Sequence, residues 1–274
     1  MEQQLGELSG MDSIALTAGL GCLGAQLGLY VLFAYVLPAG PWTKEPGFTA
    51  HQAIALPLVC YLTYVGGSAF YAAEGNEGFD TALARVTKVH PIGMHLSSFI
   101  VGELVIWDTP TGLAVKSMRS MEMIIHHVLM AWLAHLSVKY SVFTFYTTLY
   151  FGAIELSSVP LALVDLTHPK HKAWVAFVDG KPILEAVQLA ARASFALLYF
   201  IVRLGVFPYY MFVWMLPDIF ALLNAKEGPP IPAAALYVIA AFASVLTGLQ
   251  FYWGMLIFKQ VQKLLSGGGD KKAD

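Results

Sequence analysis

Two adjacent histidines, His126 and His127, stand inside the apolar run from Met121 to Val138, and the carboxylates Glu103 and Glu155 interrupt two neighbouring apolar runs. An imidazole beside a carboxylate is a general base of fixed tautomer, and toward an activated acyl group it can also act as a nucleophile. Asp108 follows Glu103 by five residues, and Ser157 and Ser158 follow Glu155 by two and three, adding an acid and two hydroxyls to the set. His126, His127 and Glu155 are therefore the candidate catalytic residues, with Glu103, Asp108, Ser157 and Ser158 as candidates for holding the polar part of a substrate. Ionisable side chains cost about 2.5–3.5 kcal/mol each to place near a bilayer centre, so their presence marks a functional cavity. The two histidine rings point about 100° apart on a helix and must address different neighbours. The blander alternative is that these groups only join helices, through hydrogen bonds worth about 1 kcal/mol each.

The elements that must position these residues follow from composition. The chain has 274 residues, of which 57% are hydrophobic and only 12% charged, and its mean hydropathy is +0.63. That is too apolar for an ordinary soluble domain and predicts an all-α, polytopic transmembrane helical bundle. Seven spanning helices are the simplest partition, near residues 13–37, 51–73, 90–107, 121–139, 141–165, 187–222 and 232–258. The sixth is too long for one straight crossing and carries Pro208 and Pro217, which predicts a kink or an end near Phe207 and leaves room for an eighth crossing. The short link at Lys139-Tyr140 makes the fourth and fifth crossings antiparallel neighbours.

Charge sets the expected orientation. Ten Lys or Arg residues fall in the odd loops and the tail, against four on the other side (Arg85, Lys88, Lys139, Lys226), which puts the C-terminus in the cytosol. Three domains are expected: 1–90 with two crossings and a lumenal connector, 91–265 as a second helical bundle, and 266–274 as a flexible cytosolic tail. Lys271 and Lys272 have the form of a dilysine retrieval signal, which predicts the endoplasmic reticulum membrane, with another organelle membrane as the alternative. The first twelve residues carry no Lys or Arg, so neither a signal-peptide n-region nor a transit peptide is visible. Cys22 and Cys60 are expected to be buried free thiols. No basic patch interleaved with aromatics supports a nucleic-acid partner.

Threaded alternately through the bilayer, the third, fourth and fifth crossings bring Glu103, Asp108, His126, His127, Glu155, Ser157 and Ser158 into one cytoplasmic half, with Asp165 near the cytosolic face. His90, His95 and His135 are expected to pack, and the segment from Asp80 to Arg85 to form a short helix in a solvated connector. His168 and His171, with Pro169 between them, lack a nearby third ligand in sequence, and no metal is assigned. Adjacent histidines occur once, against the several histidine boxes of membrane di-iron desaturases. No Asp/Glu-Arg-Tyr triplet follows the third crossing as in a seven-helix receptor.

Residues 91–265 resemble the TLC domain shared by ceramide synthases, translocon-associated membrane proteins and several lipid-homeostasis proteins. The resemblance lies in Gly102-Glu103-Leu104-Val105-Ile106-Trp107-Asp108, Ile125-His126-His127, Ile154-Glu155-Leu156-Ser157-Ser158-Val159-Pro160, Tyr199-Phe200-Ile201-Val202-Arg203 and Leu249-Gln250-Phe251-Tyr252-Trp253-Gly254. It adds Arg203 and Trp253 to the substrate-binding candidates. The double histidine of the ceramide synthase signature falls on His126 and His127, but its later His-Asp and second Asp fall near Ile154, Glu155 and Ser158. The chain therefore looks closer to the non-ceramide-synthase branch. The resemblance implies lipid binding, sensing or acyl transfer, with membrane lipids or fatty acyl chains as partners and no resident cofactor. An enzyme of this type would be an N-acyltransferase with acyl-CoA as co-substrate, one histidine taking the proton from the acceptor amine or carrying the acyl group. The alternative function is a non-catalytic accessory subunit packed with other membrane proteins.

Overall fold

A computed structural model describes residues 2–72 and 76–266, and these contain helices and no strand. Ten helices organise the chain. α1 (Glu2–Val31) and α2 (Pro46–Tyr71) precede a short α3 (Ala82–Thr87). Next, α4 (Pro91–Gly102) continues through Glu103–Asp108, and α5 (Met121–Tyr140) turns back into α6 (Thr144–Tyr150) and α7 (Ser158–Leu166). A short α8 (Lys172–Val178) leads to α9 (Pro182–Leu198), which runs on helically to Leu223, and α10 (Ala233–Leu265) closes the bundle.

Among the described residues, six helical runs are long and apolar enough to cross a bilayer: Asp12–Val36, Pro46–Tyr71, Met121–Tyr140, Thr144–Leu166, Pro182–Leu223 and Ala233–Lys263. The remaining expected crossing, near 90–107, is also helical but more polar. Instead of facing lipid it is packed against α1, α5 and α6, and it buries Ser97, Ser98 and Glu103. Leu16, Leu20, Tyr64, Ile201 and Phe212 point outward, as a hydrocarbon-immersed surface requires. Cys22 is half-buried, whereas Cys60 lies on the outer surface and not in the interior as expected.

Four prolines shape the helices in one way. The helix widens to π geometry over Leu32–Val36, Glu103–Asp108, Tyr199–Val206 and Met211–Met215, and each stretch ends two residues before a proline: Pro38, Pro110, Pro208 or Pro217. In each, the residue just before the proline donates its N–H five residues back: Leu37 to Leu32, Thr109 to Leu104, Phe207 to Val202 and Leu216 to Met211. A proline ring clashes with the carbonyl four residues before it, and one wide turn moves that carbonyl aside, so the helix runs on through Pro110, Pro208 and Pro217, whereas at Pro38 it ends in an extended Leu37. Of the two outcomes expected near Phe207, a kink or an end, the unbroken run overturns the end. Pro182–Leu223 is one helical run of 42 residues, roughly 63 Å at 1.5 Å per residue, with no separate eighth crossing between its prolines.

The tight link after α5 requires left-handed backbone at Ser141 (φ 53°) and Phe143 (φ 59°), uncommon for residues with a side chain. Phe143 N–H donates to Val86 O at 2.7 Å and Ser137 Oγ to Val142 O at 2.6 Å, which pins the turn to α3. Nor is α3 a solvated connector. Thr81 caps it, and its Arg85 is buried, donating from Nε and Nη2 to the two Asp218 oxygens at 2.7 Å each. Tyr146 OH donates to the same carboxylate. Between α6 and α7 the chain tightens into a 3₁₀ turn, Ala153–Ser157. Gly152 ahead of it lies so close to Gly66 of α2 that a Cβ on either would strike the other's backbone.

Candidate functional site

Asp108 occupies the last position of the π-helical stretch after α4, and imidazoles from two other crossings meet it. His51 Nε2 of α2 lies 2.7 Å from Asp108 Oδ1, and His127 Nε2 of α5 lies 3.5 Å from Oδ2. The first is a full hydrogen bond and the second an electrostatic contact. The His51 ring stacks on Trp107 at 4.9 Å and 21°, and Trp107 Nε1 donates to Gln26 Oε1 of α1 at 3.2 Å.

Arg203, in the π-helical stretch after α9, organises the adjoining part. Its Nη2 donates to Glu155 Oε1 and to Ser158 Oγ, and its Nε to Ser157 Oγ, all at 2.9 Å. The 3₁₀ turn aims Glu155 and Ser157 toward one guanidinium, which is itself buried. The structure therefore gives Glu155 to Arg203, and Asp108 is the carboxylate that faces His127. Glu103 is buried within electrostatic reach of both Asp108 and Glu155, so the two parts are continuous. The His126 ring stands edge-on to Trp253 at 5.4 Å and lies 5.7 Å from the His127 ring. All nine expected site residues thus fall in or against one cluster, to which five of the six apolar runs and the stretch after α4 contribute. Among the described residues, His51 Nδ1 and His126 Nδ1 are buried without a hydrogen-bond partner, and no group of three or more His, Cys, Asp or Glu is arranged to hold a metal ion.

Other polar residues stay apart from the cluster. His90 caps α4, its ring accepting from Gly93 N at 3.3 Å. His95 shares a 2.8 Å hydrogen bond with Tyr61, and His135 meets the Trp132 ring edge-on. Asp165 accepts from Gln52 at 3.5 Å. The rings of His168 and His171 do not converge. His171 Nδ1 lies 2.9 Å from a Glu45 oxygen and its ring stacks on Phe48 at 3.6 Å, whereas His168 Nδ1 accepts from Lys170 N. Partial burial holds the His168 pKa below the ordinary histidine value. The residue that sequence reasoning missed is His51. The rule that singled out His126, an ionisable group inside an apolar helix, applies to it equally.

An apolar pocket lies one to two helical turns from the cluster, and none of the cluster's side chains lines it. Met130 and Leu133 of α5, Tyr150 and Phe151 of the Thr144–Leu166 run, Phe207, Met211 and Met215 of the Pro182–Leu223 run, and Ala243 and Leu246 of α10 line it. Met130 is three residues beyond His127, Phe151 four before Glu155, Phe207 four beyond Arg203 and Leu246 seven before Trp253. Along each helix the pocket therefore begins on the order of 5–10 Å from the polar groups. At the pocket's far end Tyr146, bonded to Asp218, forms part of the wall.

The TLC domain matches residues 92–259, which contain every site residue named above except His51. No curated protein and no solved structure matches the chain. The match covers more than half of the sequence, and the chain belongs to the TLC-domain family of lipid-related membrane proteins.

Proposed function

We propose that this protein binds a single lipid, its acyl chain in the apolar pocket and its polar end among His126, His127, Asp108, Glu103 and Arg203. The observation that carries this reading is the stacking of the two environments. Four helical runs each supply a pocket-lining apolar residue and, one or two turns away, a member of the polar cluster. A pocket lined by apolar side chains with a few convergent polar groups at one end is suited to an amphiphile. The unpartnered His126 Nδ1 and His51 Nδ1 support it, because buried polar atoms normally have partners and a lipid's polar end would supply them. Mass spectrometry of lipids retained by the purified protein tests the proposal. Wild type is expected to carry a lipid that Ala243→Trp, which fills the pocket, reduces at least fivefold. Equal retention in both would refute it.

The contact between His127 and Asp108 favours a second reading, acyl transfer from acyl-CoA to a lipid amine. The amine nitrogen would form the amide bond as the thioester C–S bond breaks; His127 would accept the amine proton, with Asp108 stabilising the imidazolium, and pass it to the departing CoA thiolate, while Arg203 would hold polar oxygen atoms nearby. Against it stand Ile154, buried in the core, and Ser158, which accepts from Arg203, because neither can move a proton as the ceramide synthase signature requires at these places. Purified protein given acyl-CoA and a sphingoid base should form an amide that His127→Ala abolishes; turnover surviving His126→Ala and His127→Ala would end this reading.

We also infer a cytosolic C-terminus and residence in the endoplasmic reticulum, from the excess of Lys and Arg in one set of loops and the terminal dilysine form. Lys271 and Lys272 lie outside the described residues. An acceptor site for N-glycosylation placed at residues 76–80 is expected to be modified, and one at 168–171 to stay unmodified.

A further inference from the structure

We propose that His51, supplied by the N-terminal pair of crossings and lying outside the matched TLC domain, is a positioning residue that fixes Asp108 against His127. The inference rests on the reading of this cluster as the working end of the site, and it deepens that reading by adding a residue. Three observations carry it. First, His51 Nε2 lies 2.7 Å from Asp108 Oδ1, which leaves Oδ2 as the oxygen facing His127. Second, His51 is itself held. Its ring lies on Trp107, Trp107 donates to Gln26, and Gln26 Nε2 donates to Gly47 O at the start of α2. Three crossings are thereby tied around one carboxylate. Third, Asp108 is the His51 ring's hydrogen-bonding partner, and His51 Nδ1 is buried with none among the described residues. A group that only filled space here would pack better as a leucine, since a buried acceptor without a partner is unfavourable.

The geometry resembles the way a second group fixes the partner of a metal-bound or catalytic histidine, where loss of the outer group moves the inner one. His51 Nε2–H donates to Oδ1, the carboxylate is held in one rotamer, and His127 meets a fixed negative charge. Without the donor, Asp108 turns away and His127 loses its partner. Under the acyl-transfer reading the consequence is a lower kcat with little change in KM, because binding of the acyl chain occurs elsewhere in the pocket.

The test reads His127 directly and needs neither turnover nor lipid. Full-length protein in detergent is treated with diethyl pyrocarbonate at one pH, and modification of His127 is followed by peptide mass spectrometry. His51→Gln places an amide donor near the position of Nε2, whereas His51→Asn is too short to reach Asp108. With Asp108 turned away, His127 is expected to react at least threefold faster in His51→Asn and in Asp108→Asn, and at close to the wild-type rate in His51→Gln. The double variant of His51→Asn with Asp108→Asn is expected to match Asp108→Asn alone. Equal rates in the Gln and Asn variants, or independent effects in the double variant, would overturn the proposal. Both substitutions are polar and of similar size, so a packing role would not separate them. Loss of the lipid-retention difference in Ala243→Trp would refute the binding reading while leaving this result standing.

Discussion

Arg203 and Glu155 show what one side chain decides in this bundle. Both are largely buried, and Arg203 spends its donors on Glu155, Ser157 and Ser158. Removing one partner of such a pair leaves a buried charge uncompensated, so Arg203→Met is expected to lower stability by about 3–5 kcal/mol. Arg203→Met combined with Glu155→Gln should recover most of that loss, as measured by unfolding in mixed detergent. Outside the membrane, His168 gives a pH dependence with a definite sign. Its folded pKa is depressed by burial, so below about 6.5 the unfolded chain takes up the proton first and stability declines as the pH falls. His168→Asn is expected to flatten that acid-side slope in thermal unfolding measured from pH 7.5 to 5. At this scale the sequence reading named residues that the fold gathers into one cluster, but it paired the histidines with a carboxylate that meets Arg203 instead. Glu155 reads as a partner for histidine because both lie at similar depth, but depth says nothing about rotation about the helix axis. That rotation gave Glu155 to Arg203 and Asp108 to His127.

The helices owe much of that rotation to proline. A π-helical turn adds a residue to the circuit and re-phases everything beyond it, and two of the four such turns hold Glu103 with Asp108 and Arg203. Helix widening at functional sites is a recognised use of this geometry. Pro208→Ala removes the reason for the turn at Tyr199–Val206 and allows ordinary α geometry to return. The coupling between Arg203 and Glu155, measured by a double-mutant cycle, is then expected to fall by about 1 kcal/mol or more, although the helix itself gains a better helix former. An unchanged coupling would show that packing and not Pro208 sets the turn. The prolines were visible in the sequence as helix breakers. Their actual effect was not, because whether a proline ends, kinks or widens a helix depends on whether neighbouring helices hold the chain on course. Pro57, inside α2, is accommodated with no widening at all.

Across the whole molecule, the N-terminal crossings and the TLC domain form one structure around the cluster. At the opposite end of the pocket, Arg85 of α3 reaches Asp218 through two hydrogen bonds, lies 4.6 Å over the Trp214 ring and also donates to Phe79 O and Asp80 O. The Asp218 carboxylate raises the Arg85 pKa above its already high ordinary value, so the guanidinium stays charged at any relevant pH. Arg85→Leu is expected to cost about 3–5 kcal/mol by stranding the buried Asp218, and to loosen the loop before α4 to proteolysis. Protease resistance equal to wild type would show that the Phe143 to Val86 hydrogen bond holds that end without it. The connector that carries Arg85 reads as solvated because it is polar and lies between two apolar runs, and no local view of the sequence shows Asp218.

The sequence by itself determined the all-helical membrane class, the approximate crossings and nine polar or aromatic residues that gather in the cluster, but not His51. Hydrophobic length and the cost of burying ionisable groups are local properties, and each can be read one segment at a time. The tertiary structure alone decided which carboxylate meets which histidine, that His51 joins from outside the matched domain, and that Arg85 locks onto Asp218. Those contacts join residues 133 positions apart for Arg85 and 57 apart for His51. They depend on how each helix is rotated and spaced against the others, which is fixed by packing between crossings and not by the composition of any one of them.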